Sequence, residues 1–247
     1  MSKSKLHSKL HLDNQNDILK EFDWGQLDNN WLKAALTEEF TKFNKGQYQV
    51  DFEVEKDDIV FDFGASVGPF IWQIQKQKPS KVVAIEPCEG FISTLVDNCQ
   101  ATKLNCEIFK VGVGSTSGKE FIRAYDVKEG KITSEGGTFP TLTFMDIVKN
   151  ANVDKIDFLK TDCEGGEYNI FNDSNFWWIK ENVKKIVGEW HIKYYLEEFK
   201  IFRDTYLRLF PKIKLYSTDM FEIPKDFIFT QDFLDYYNQV IVYIDNR

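Results

Sequence analysis

The chain is poor in the features that mark secreted, membrane or nucleic-acid-binding proteins. Its four cysteines, Cys88, Cys99, Cys106 and Cys163, form no C-x-x-C pair. That argues against a disulfide framework or a zinc knuckle, and free thiols suit a reducing cytoplasm. No apolar run approaches the length of a membrane span. The lysine-bearing N-terminus lacks the apolar stretch of a signal peptide. Positive charge is also short: 31 Lys and Arg against 39 Asp and Glu leave a formal charge of −8. Such a surface repels phosphate at long range, which excludes nucleic acid and anionic membrane as general partners. Histidine is scarce, and two of the three, His7 and His11, sit four apart in the polar N-terminal stretch, leaving His191 alone in the body of the chain.

Apolar and aromatic residues are plentiful. The 22 Phe, 10 Tyr and 6 Trp suffice for a sizeable core. Residues 1–17 read as a loose arm, and 18–247 as one domain with an extension (18–55) and a core (56–247). In the extension, Leu32, Leu36, Phe40 and Phe43 recur at helical spacing, and residues 47–54 alternate like a strand. Beyond it, apolar runs at Ile59–Phe63, Lys81–Ile85, 107–113, Ile156–Thr161 and 185–189 alternate with helical stretches at 69–77 and Glu89–Thr102. Thr143 and Asp146 form a capping box that opens a further short helix. Residues 112–137 read as turns and a hairpin. A stripe of Tyr195, Phe199, Phe202, Tyr206 and Leu209 predicts a helix, followed by strands at 214–217 and 239–244. The alternation predicts a doubly wound, Rossmann-like α/β sheet, mostly parallel, with a C-terminal antiparallel strand pair and N-terminal helices.

Chemistry gathers at three places. The first is Asp62-Phe63-Gly64-Ala65-Ser66-Val67-Gly68, with Glu86 ending the next strand 24 residues after Asp62. In such sheets ligands bind outside the carboxyl ends of the strands. Glycines there let the backbone approach a ligand, and an acidic residue at the second strand end can accept hydrogen bonds from both ribose hydroxyls. The glycines are spaced G-x-x-x-G and lack the G-x-G-x-x-G fingerprint for a pyrophosphate. The charge of Asp62 would oppose a pyrophosphate and attract the ammonium and sulfonium of S-adenosylmethionine. Cofactor binding is therefore expected from Asp62, Gly64, Ala65, Gly68 and Glu86, with adenine near Val111, Gly112 and Val113.

The second place is the block 157–167, where a strand delivers Asp162 and Glu164 to its carboxyl end ahead of Gly165-Gly166. These two acids are candidates for general base, metal ligand or acceptor anchor, while Glu167 reads as a helix cap. The third is Val187-Gly188-Glu189-Trp190-His191, which puts the lone body histidine where an acceptor would sit.

Together these segments resemble the FkbM-type family of S-adenosylmethionine-dependent methyltransferases over residues 59–191. Phe158-Leu-Lys-Thr-Asp-Cys-Glu-Gly-Gly-Glu167 looks like the family's "lKiDvEGaE", Phe61 to Gly68 like its "DvGAnxG", Ala84 to Pro87 with Leu95 and Asn98 like its "EP…L..N", and Glu189 with His191 like its "E.H". Ser66 stands where the family commonly has Asn, and Thr143 where it commonly has Asp. The resemblance implies methyl transfer to a hydroxyl, often on a sugar or a secondary metabolite.

The expectation is a cytoplasmic methyltransferase acting on a small-molecule or glycan acceptor, with His191, Asp162 or Glu164 removing the acceptor proton and no resident metal. Two rivals differ in class. One is a cofactor-binding module without turnover; the other is a nicotinamide oxidoreductase, which the glycine spacing disfavours. A metal route, with Asp162, Glu164 and Glu189 gathering a divalent ion, stands beside the histidine route. The acceptor's identity and the oligomeric state are open at this level.

Overall fold

The computed structural model describes Phe22 and residues 46–122, 126–128, 131–133 and 137–247. The expected arm, with His7 and His11, and the helix carrying Leu32 to Phe43 lie outside the described residues.

The strands are β1 (Ile59–Phe63), β2 (Lys81–Ile85), β3 (Cys106–Phe109), β4 (Gly112–Val113), β5 (Gly118–Ile122), β6 (Asp126–Lys128), β7 (Lys131–Thr133), β8 (Gly137–Leu142), β9 (Ile156–Thr161), β10 (Val183–His191), β11 (Lys212–Tyr216), β12 (Glu222–Ile223) and β13 (Gln239–Asp245). The helices are α1 (Pro69–Gln73), α2 (Glu89–Thr102), α3 (Phe144–Asn150), α4 (Glu167–Ile170), α5 (Phe176–Asn182), α6 (Leu196–Ile201) and α7 (Gln231–Tyr236). The central sheet runs β12-β11-β13-β10-β9-β1-β2-β3. Its strands β10, β9, β1, β2 and β3 are parallel neighbours, and β13 is antiparallel to both β10 and β11. This is the doubly wound, mostly parallel sheet expected from the alternation, with the strand order reversing between β1 and β9. Among the described residues no helix is long and apolar enough to cross a membrane.

Side-chain alternation divides the core. Phe61, Phe63, Leu159, Ile186 and Trp190 face one layer with Phe144, Ile170 and Phe202. Val60, Ala84, Phe158, Val187 and Tyr243 face the other with Phe70, Ile71, Ile92 and Leu95. Thr143 caps α3, its hydroxyl accepting from the Asp146 N–H at 3.1 Å.

Three expectations need correction. Residues 47–54 form turns and irregular chain instead of a strand. Their N–H groups go to side chains, Val50 to Tyr243 Oη at 2.9 Å and Val54 to Gln49 Oε1 at 3.1 Å. The alternation arises because Tyr48, Phe52 and Val54 pack down on the sheet. The run 107–113 breaks after Phe109, and Gly112-Val113 leaves to pair with β8 in a second sheet. The stripe after Tyr195 contains a wide π-type turn at Phe202–Tyr206, which rotates the following residues. Leu207 is buried in consequence, while Leu209 is 50% exposed.

The β9–β10 contact that aims the functional strand ends depends on a missing side chain. Gly188 pairs with Thr161, and a methyl group added there would lie 2.0 Å from Thr161 Oγ1 and 2.4 Å from its carbonyl oxygen. Backbone cannot yield cheaply at this depth, so Gly188→Ala is expected to lower stability by about 1–3 kcal/mol. A urea midpoint equal to that of the native protein would show that β9 and β10 are not packed this closely.

Candidate active site

The turn after β1 is shaped by left-handed residues. Gly64, Ser66 and Gly68 have φ of 77°, 51° and 90°. A Cβ on Gly64 would fall 1.7 Å from the Asp162 carbonyl oxygen, so this glycine lets the turns after β1 and β9 touch. The Gly64 and Ala65 N–H groups both donate to the Ile85 carbonyl, at 3.0 and 3.1 Å. Glu86 closes the turn from below: its two carboxylate oxygens accept from Ser66 N and Cys88 N, each at 2.8 Å. Burial pushes the Glu86 carboxyl up to about 7, against those two backbone bonds. Ser66 stands where the resembled motif has Asn, a residue better suited to positive φ. Asn98, from α2, donates to the Val67 carbonyl at 2.7 Å and pins the far side of the turn.

Asp62 is fully buried and pairs with Lys160, whose Nζ lies 2.9 Å from Asp62 Oδ1. The two residues are register partners across β1 and β9. The same ammonium donates to the Gly64 carbonyl at 2.9 Å and lies 5.3 Å from the centre of the Tyr48 ring. Lys160 meets the charge of Asp62 inside the protein, and the carboxylate, with no exposed surface, braces the turn after β1. Burial pushes the Asp62 carboxyl up while Lys160 opposes the shift.

On the same face of the sheet, the ends of β9 and β10 bring acids around one imidazole. His191 Nε2 lies 3.3 Å from Glu164 Oε2 and 3.9 Å from Glu189 Oε1. Its Nδ1 lies 3.6 Å from Glu167 Oε1, a charge contact just beyond hydrogen-bond reach. Glu167 is completely buried and accepts from Cys163 N and Gly165 N at 2.8 Å each, so it closes the turn ahead of α4, where it was expected to cap the helix, and also backs the imidazole. Burial opposes charge on His191, but Glu167, Glu164 and Asp162 outweigh it and lift the imidazole up to about 10. Burial pushes the Glu164 carboxyl up to about 7, with His191 working the other way.

Asp162 accepts from Tyr48 Oη at 2.8 Å, and Glu189 from Gln239 Nε2 at 2.5 Å. Asp162, Glu189 and His191 each offer a ligand atom within 4.8 Å of the other two, the spacing a divalent ion would need. In the metal set expected from sequence, Glu164 is thus replaced by His191. Val111 to Val113 abut the β9 turn: Asn169 Nδ2 donates to the Val113 carbonyl at 3.2 Å, and a Cβ on Gly166 would meet Val113 Cγ1 at 2.8 Å.

The structure thus brings Gly64, Ala65, Gly68 and Glu86 to one side of the switch point and Asp162, Glu164 and His191 to the other. Lys160, Tyr48 and Tyr195 were not singled out from the sequence as site residues. Lys160 carried a readable signal, a lone cation inside an apolar strand that must find an anion. Tyr48 had none of its own, since the alternation around it reads as a strand that does not form.

No curated protein matches the chain. Among solved structures it is similar to a precorrin-8w decarboxylase of Methanobacterium thermoautotrophicum, at 15% identity over 77% of this chain and 82% of that one, TM-score 0.41. It is also similar to a precorrin-6y C5,15-methyltransferase of Geobacter metallireducens, at 11% identity over 91% and 94%, TM-score 0.45. An rRNA methylase of Streptococcus thermophilus matches at 11% identity over 78% and 89%, TM-score 0.44. The model of the methyltransferase FkbM domain matches residues 34–210, more than half of the sequence, and the chain belongs to that family.

Proposed function

We propose that the protein is an S-adenosylmethionine-dependent O-methyltransferase whose acceptor is a hydroxyl on a small molecule or glycan. The observation that carries this reading is the convergence at one sheet edge of a glycine turn over a buried Glu86 and a carboxylate–imidazole cluster at the β9 and β10 ends.

The residues fit the methyl donor. Each Glu86 oxygen uses one lone pair on a backbone N–H and keeps another for a ribose hydroxyl. Gly64, Ala65 and Gly68 leave backbone, and no side chain beyond a methyl, against the methionine end. The segment 111–113 supplies an apolar rim for the adenine. S-adenosylmethionine supplies an electrophilic methyl group on a sulfonium. The chain's own work is to orient the acceptor oxygen in line with that methyl and to take its proton.

We assign the proton to Glu164 in preference to His191. An imidazole lifted up to about 10 is already protonated at neutral pH, whereas a carboxyl near 7 is matched to general-base duty. His191 then acts as a fixed cation that orients Glu164, and Asp162 and Glu189 are left to anchor acceptor hydroxyls. The same concentration of carboxylates, with the −8 net charge, supports an acceptor other than nucleic acid.

S-adenosylhomocysteine should bind and raise the melting temperature. Glu86→Ala should weaken that binding by about 1.5–3 kcal/mol in titration calorimetry, the range for hydrogen bonds to a charged group. Undiminished affinity in a folded variant removes the ribose assignment. Methyl transfer should rise with pH through one ionisation near 7, as Glu164 loses its proton, and level off above it. Glu164→Gln should slow transfer by roughly 10²–10⁴-fold and erase that limb. Excess chelator should leave the rate unchanged. Loss of turnover under chelation would instead place a divalent ion among Asp162, Glu189 and His191 as the group that acidifies the hydroxyl.

A further inference from the structure

Glu164 holds an unusual backbone. Its φ is 53° and that of Gly165 is 101°, two successive residues in left-handed conformations. For glutamate this conformation is strained and persists only where the surroundings impose it. Two side chains impose it: Glu167 holds the Gly165 N–H, and a tyrosine holds the carbonyl of the same peptide. Tyr195, just beyond the end of β10, donates its hydroxyl to the Glu164 carbonyl at 2.8 Å. Its ring lies flush on Gly165, where a Cβ would come within 2.0 Å of Tyr195 Cζ. Tyr195 is itself fixed, its N–H donating to the Ile192 carbonyl at 3.0 Å and its ring lying 5.7 Å from that of Tyr168. Tyr168, at the start of α4, returns the favour by donating to the His191 carbonyl at 2.7 Å. The β9 turn therefore holds the β10 end through Tyr168, and the β10 end holds the β9 turn through Tyr195.

We propose that Tyr195 is a positioning residue of the active site, holding Glu164 in its left-handed backbone so that the carboxylate meets His191 where the acceptor hydroxyl is deprotonated. The assignment of a task to Glu164 rests on the proposed methyl transfer; the placement of Glu164 by Tyr195 does not. Without the hydroxyl, the Glu164–Gly165 peptide keeps only the bond from Gly165 N–H to Glu167, and its looser hold lets the carboxylate shift from the 3.3 Å contact with His191 Nε2. Without the ring, the glycine behind it loses its lid as well. Both losses act at the acceptor side and leave Glu86 and the β1 turn untouched.

The test uses the full chain and a readout that needs no acceptor. The chain has three histidines, so the His191 imidazole resonances can be identified by comparison with His191→Gln. Tyr195→Phe should move those resonances in the direction produced by Glu164→Gln and to a lesser extent, and Tyr195→Leu should move them as far as Glu164→Gln does. S-adenosylhomocysteine affinity, measured by calorimetry, should stay within about twofold in both Tyr195 variants. Tyr195→Phe keeps the ring on Gly165 and decides the matter if Tyr195→Leu does not fold. Wild-type His191 resonances in folded Tyr195→Phe would overturn the proposal, as would a loss of S-adenosylhomocysteine affinity parallel to the resonance shift. Should S-adenosylhomocysteine fail to bind the native protein, the methyl-transfer reading falls while the His191 resonances still judge Tyr195.

Discussion

The ion pair between Asp62 and Lys160 sits at the point on which the rest of the site depends. It joins β1 to β9 where the strand order reverses, and both partners are enclosed by the sheet. Taking two charges out of water is costly, and an isolated pair seldom repays that cost. Here the ammonium also holds the Gly64 carbonyl and lies over the Tyr48 ring, so a single cation fixes the β1 turn, the β9 strand and the irregular segment 46–58 against one another. Removing either partner would strand a buried charge, a loss of about 3–5 kcal/mol in comparable cases. The pair is better understood as a device for register than for stability: Gly64 approaches Asp162 as it does only if β1 and β9 are neither slipped nor spread.

From this brace the electrostatics of the acceptor side follow. Asp162, Glu164, Glu167 and Glu189 reach one imidazole, while Lys160 is committed to Asp62. Carboxylates crowded around one cation divide into roles by environment. Glu167 is held below the usual carboxylate range despite its burial, first by the His191 imidazole and then by its bonds to backbone N–H groups, and Glu164 is pushed up to about 7 by burial. Two glutamates three residues apart thus become a permanent anion and a titrating group, the kind of separation that lets one site hold both an orienting charge and a base.

The fold was legible because strand and helix periods differ, and the runs at Ile59–Phe63, Lys81–Ile85 and Ile156–Thr161 have the observed strand bounds. Glu86 was legible because it ends a strand. What could not be read were interactions that cross the sequence. Tyr48 reaches Asp162 over 114 positions, and its segment mimics a strand because Tyr48, Phe52 and Val54 pack on the sheet, although Val50 is exposed and Gln49 buried. The helical stripe after Tyr195 was read as one continuous face, and a π-type turn, which leaves no mark in the apolar pattern, sent Leu209 outward. His191 was visible as a lone histidine, but its charge state was not. That state depends on Glu167, whose reading as a helix cap gave neither its bonds to the turn N–H groups of Cys163 and Gly165 nor its distance to the ring.

The two halves of the site are built by different means, and the difference constrains how acceptor preference can change. The half given to Glu86 is made largely of backbone N–H and carbonyl groups at left-handed glycines, with one carboxylate beneath them. A side chain at Gly64 would push the β1 turn away from Asp162, and one at Gly68 would press on Leu95 of α2. The other half is made of side chains on the turns that follow β9 and β10, tied together by Tyr168 and Tyr195. A change at Asp162 or Glu189 alters what hydrogen-bonds an acceptor while leaving the β1 turn and its brace in place. Glu164 is less free, because its placement depends on Tyr195 as well as on its own identity. Under the proposed function, selectivity can therefore shift at the outer acids while Glu164 and the Glu86 half stay fixed, since the strand pairing that supports both lies one layer deeper, in Asp62 and Lys160.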